Sequence, residues 1–116
     1  MRIVTITSEA HGAIIGDRIK VAETSLSRMV GLLGKRSIDA GEGLWIRPSS
    51  GVHTVGMTFP IDVVGLDQQR RVVRLWPNLV PYRITSVSFK VASVIELPAG
   101  SIQSSRIQLG DRLLIQ

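Results

Sequence analysis

The stretch IDVVGLDQQRRVVRLW, residues 61–76, is two apolar runs separated by a polar break. Both runs carry β-branched residues, and Asp67, Gln68 and Gln69 between them suit a turn, so the pattern predicts a β-hairpin. Pro60 sits just before the first run, where it interrupts any ladder that precedes it. Upstream of the proline, His53, Val55, Met57 and Phe59 alternate with Thr54, Gly56 and Thr58, which predicts a further strand. Downstream, PNLVP at 77–81 reads as a proline-bounded loop.

Outward from the hairpin the same period recurs. RIVTIT (2–7) and DRIKVA (17–22) are short strands, expected to pair or to lie close together. The period changes only in TSLSRMVGLLGK (24–35), where Leu26, Met29, Val30 and Leu33 fall on one helical face. Thr24 or Ser25 is placed to cap that helix and Gly34 to stop it. Glycine-bearing KRSIDAGEG leads to an apolar strand LWIRP (44–48), SVSFKVASVIEL (86–97) supplies one or two more strands, SIQSSRI suits one helical turn, and LGDRLLIQ closes with a last strand. The strands lie too close together for helical crossovers. The expected fold is therefore mostly β with a minor α+β character. It is a compact, curved antiparallel or mixed sheet, or small barrel, of about seven short strands with one short helix near residues 25–34.

A chain of 116 residues fits a single domain, 1–116. With 44% apolar and 20% charged residues and no apolar block near the roughly 18 residues that span a bilayer, it reads as soluble and without a membrane span. MRIVTITSEAHG is too interrupted for a signal-peptide core, which makes the cytoplasm the expected location. Without cysteine there is no disulfide, thiolate ligand or cysteine nucleophile. The formal charge of +5 comes mostly from scattered arginines, and the tight group is Arg70, Arg71 and Arg74 with Arg83 beyond. A nucleic-acid binder would need these four on one face; a spread positive excess more often only solubilises.

Candidates for chemistry are few. His53 is a possible base, with Asp62, Asp67 and Glu96 as carboxylate partners on or beside strands. Asp62 shares a strand face with Val64 and Leu66, so it should be buried and satisfied by several donors: Thr54, Thr58, His53, an arginine, or backbone N–H groups freed near Pro60. If Glu96 and Asp62 met, one of them would have a raised pKa. The GxSxG, SxxK, GxGxxG and P-loop motifs are absent, as are HxxxH and EF-hand spacings, so neither a cofactor nor a metal is expected. Trp45 and Trp76 read as sheet core or as one side of a groove.

Five segments in order, GLLGK (31–35), GEGLWI (41–46), HTVGMTFPIDVVGLD (53–67), VIELPAG (94–100) and LGDRL (109–113), resemble the bacterial and archaeal family called domain of unknown function 192. That resemblance implies a compact, mostly β domain of curved sheet with a short helix, and brings no reaction with it. It hints at a cell-envelope accessory role, because some relatives are exported. Members carry an aromatic pair and a basic residue in the central strand where this chain has Val55, Gly56 and Thr58, and an aromatic where it has Gly65. Such losses either open a pocket or let another element approach closely.

The leading reading is a non-catalytic binding or assembly module with a groove beside the central strand for a peptide, glycan or partner protein, contacted by Thr54, Met57, Trp45, Trp76 and Asp67. The alternative is a small hydrolase or lyase using His53 with Asp62 or Glu96. Third comes a weak nucleic-acid binder through the arginine group.

Overall fold

The computed structural model describes residues 2–30, 32, 35–51, 57–81, 83, 85 and 88–116. Along the chain these form β1 (Ile3–Ser8), β2 (Ile14–Ala22), α1 (Ser25–Val30), β3 (Glu42–Ile46), β4 (Ile61–Leu66), β5 (Val72–Leu79), β6 (Ser93–Pro98), α2 (Ser101–Ser104) and β7 (Leu113–Ile115). The strands make one sheet in the order β5-β4-β6-β3-β2-β1-β7. The mostly β expectation holds, and so does the hairpin, with Val63 opposite Trp76 and Gly65 opposite Arg74.

The sheet curls until its two edges meet at one end. Val72 N–H donates to Asp111 O (2.8 Å) and Leu113 N–H to Arg70 O (3.0 Å), and Arg71 bridges to Arg112. β5 is thereby tied to the β7 end and the result is a half-closed barrel. Its interior is filled by Val4, Ile6, Ile19, Trp45, Val64, Leu66, Ile95, Leu97 and Leu113, drawn from six strands. A second cluster, including Leu44, Ile46, Ile61, Val63 and Val94, lies on the outer face of the central strands, where Leu32, Met57 and Val91 cover it. With apolar layers on both faces, β4 is buried at every position and β6 at all but its last, which is why both read as nearly continuous apolar runs.

Three expectations are corrected. β2 and β3 pair in parallel, so residues 23–41 form a helical crossover after all. That length, with α1 inside it, exceeds the dozen or so residues such a connection requires. Met57–Pro60 is not a strand; Met57 turns inward with Phe59 to cap the outer cluster, keeping the alternation but without a ladder partner. PNLVP is not wholly a loop either, since β5 runs through Pro77 to Leu79, a position that the edge of a sheet tolerates. The predicted cap of α1 forms: Ser27 N–H donates to Thr24 Oγ1 and Thr24 N–H to Ser27 Oγ, both at 3.0 Å. That reciprocal pair satisfies two N-terminal donors. The proposed stop at Gly34 lies outside the described residues.

Candidate ligand-binding groove

Trp45 sits on β3 with its ring in the barrel interior, 2% exposed, near the end where the β4–β5 turn closes. Its indole N–H is buried and, among the described residues, has no acceptor. Two guanidinium groups lie over the ring, Arg47 at 4.6 Å and Arg70 at 5.1 Å from its centroid. Among the described residues neither is paired with a carboxylate; the ion pairs are Arg2–Glu23, Arg18–Asp17 and Arg112–Glu9. Arg70 also donates to Ile115 O at 3.3 Å.

The turn supplies Arg70 in an unusual way. Asp67 Oδ1 accepts the backbone N–H groups of Gln69 and Arg71, both at 2.9 Å, which folds residues 67–71 tightly. Arg70 is then left with φ 64°, where glycine would be at ease and an arginine costs about 1 kcal/mol. The strain is compensated by the cation–π contact and the bond to β7.

Trp45, Arg47, Asp67, Gln68, Arg70 and Ser93 line a concavity of about 370 Å³. It adjoins a more open groove of about 530 Å³ that reaches Lys90 and Phe89, the two sharing Pro48, Asp67, Gln68 and Ala92. Phe89 is fully exposed. The combined site offers three cations, one carboxylate already holding its own turn, and an apolar shelf.

The family described as Uncharacterized ACR, the domain of unknown function 192, matches residues 4–115. The chain belongs to this family. A UPF0127 protein of Thermococcus kodakarensis is 27% identical over 110 residues, which is 91% of this chain and 69% of that protein. A protein of unknown function from Novosphingobium aromaticivorans has a crystal structure that superposes with a TM-score of 0.82 at 23% identity, over 97% of this chain and 83% of its own. That of a proposed transcription regulator from Sinorhizobium meliloti gives 0.81 at 22% identity, over 97% and 91%. At such identities these two structures establish a shared fold alone.

Within this member of the domain of unknown function 192, the sheet separates most of the residues singled out from sequence. Asp62 is opposite Leu97, and Glu96 is opposite Val63, so the two carboxylates project from opposite faces and do not meet. Asp62, 1% exposed, accepts the N–H of Asn78 through Oδ1 and that of Ile102 through Oδ2, both at 2.8 Å. Among the described residues its donors are therefore backbone N–H groups of β5 and α2. Glu96, 4% exposed, lies on the outer face beside Leu44 and Val63, and burial pushes its carboxyl up to about 7. His53 and Thr54 lie outside the described residues.

Trp76 packs on the outer cluster while Trp45 belongs to the interior, so they do not form one aromatic platform. Met57 is buried. The arginine group is divided: Arg70 faces Trp45, Arg71 donates to Gly110 O, and Arg74 crosses Gly65 on the outer face, while Arg83 is engaged in an interaction of its own. At Gly65 the lost aromatic lets another element approach, since a Cβ there would meet Arg74 and Val91 at 3.1 Å and Trp76 at 3.2 Å. Among the described residues no three His, Asp or Glu side chains are grouped to hold a metal, and no helix is long and apolar enough to cross a membrane. Sequence reasoning missed Arg47 and Lys90. The only signal was Arg47 two positions after Trp45, which places both on one strand face.

Proposed function

We propose that this chain is a non-catalytic binding module that takes an extended peptide segment of a partner protein in the groove between the end of β3, the β4–β5 turn and residues 88–93. The observation that carries this reading is the pair of guanidinium groups resting on one buried indole with no carboxylate partner, at the wall of a concavity. Unpaired arginines on an aromatic anchor recur at protein recognition sites, because they add charge and contact area while losing little rotamer freedom. A glycan would need a bare aromatic face, and here the guanidiniums cover it.

The test is an NMR titration that follows the two indole N–H signals. Short peptides of mixed sequence should shift the Trp45 signal and leave that of Trp76 in place, and Arg47→Ala should weaken the response about tenfold or more. Failure of every peptide at millimolar concentration, or a response to oligosaccharides instead, would overturn the reading.

A further inference from the structure

Resting on that peptide-binding reading, we infer that the inner concavity takes the free C-terminal carboxylate of the partner peptide, held between Arg47 and Arg70. The chemistry of the wall selects the group. Guanidinium forks match a carboxylate with paired N–H donors, and Arg47 and Arg70, each over the Trp45 ring, line the same concavity. Asp67 lines the same space without pairing to either arginine.

The shape selects the terminus. The inner space is bounded by Trp45 and opens into the wider groove past Pro48, Gln68 and Ala92. A chain lying across Phe89 and Lys90 can place its last residue in this smaller, more enclosed space beside the guanidiniums. Trp45 lines this space, and its buried indole N–H has no acceptor among the described residues. Arg70 adds an independent indication. Its left-handed backbone would suit glycine, and an arginine there keeps a cation over the ring despite the strain.

The experiment compares three pools of N-acetylated pentapeptides. One ends in a free carboxylate, one has the same sequences ending in a carboxamide, and one has a central glutamate and a carboxamide end. Inorganic phosphate is titrated separately, and the Trp45 indole N–H is the readout with Trp76 as the reference. Amidation should weaken binding at least about tenfold, as expected for loss of a charge-assisted contact. Arg70→Gly relieves the backbone strain, so it should stay folded while the acid and amide pools become equivalent. Arg47→Gln, which keeps much of the stem, should do the same.

Equal binding of acid and amide pools to the wild-type chain would overturn the carboxylate assignment and leave the peptide-binding module standing. Equal binding of the glutamate pool or of inorganic phosphate would overturn it in favour of a general anion site. No binding by any pool would overturn both readings.

Discussion

Glu96 is the residue whose environment departs furthest from solution chemistry. Its carboxyl lies under the outer apolar cluster with Leu44 and Val63 as its cross-strand neighbours. Burial moves its protonation from the ordinary 4.5 up to about 7, so between these values the folded state holds a proton that the unfolded state has lost. The contribution of Glu96 to stability is therefore full below pH 4.5, is lost as pH rises through 7, and stays lost above. The shift corresponds to about 3 kcal/mol. Glu96→Gln should make the protein more stable than wild type at pH 8 by a large part of that amount, with little difference at pH 5, measured by urea unfolding at both. An equal difference at the two pH values would remove the assignment. The burial of Asp62 was legible from its alternation with Val64 and Leu66; its donors were not, because Asn78 and Ile102 are far away in the chain and only the fold brings them near.

Among the elements, α2 is too short to persist alone, since isolated helices of one turn do not survive in water. Asp62 fastens it by accepting the Ile102 N–H, and with the same carboxylate it holds Asn78, whose φ is 50°, at the end of β5. Asp62→Ala leaves two N–H groups without acceptors and should cost more than about 2 kcal/mol, read by denaturant unfolding. The amides of Asn78 and Ile102 should then exchange faster. A cost near zero would mean that the carboxylate does not brace α2. The hairpin and the Thr24 cap were both readable in advance, because a turn and a cap are settled by neighbours within a few residues. The parallel pairing of β2 with β3 was not, and neither was the passage of β5 through Pro77. Which strands become neighbours, and which become edges, depends on the rest of the sheet.

For the whole molecule, the bonds joining Val72 and Leu113 to the opposite edge make a half-closed barrel of a curled sheet. Their amides should be protected from hydrogen exchange, less than those of β6 but well above loop amides; exchange at loop rates would mean an open sheet in solution. By itself the sequence determined what depends on local pattern. The strands follow from short apolar runs bounded by turn residues, the helix start from its cap, the hairpin from its turn, and the family from ordered segments within residues 4–115. Only the tertiary structure decided what depends on pairing register. A strand's side chains alternate faces, so register between strands distant in sequence put Asp62 and Glu96, and likewise Trp45 and Trp76, on opposite sides of one sheet. The same register and the curl of the sheet brought Arg47 and Arg70, well separated in the chain, over a single indole.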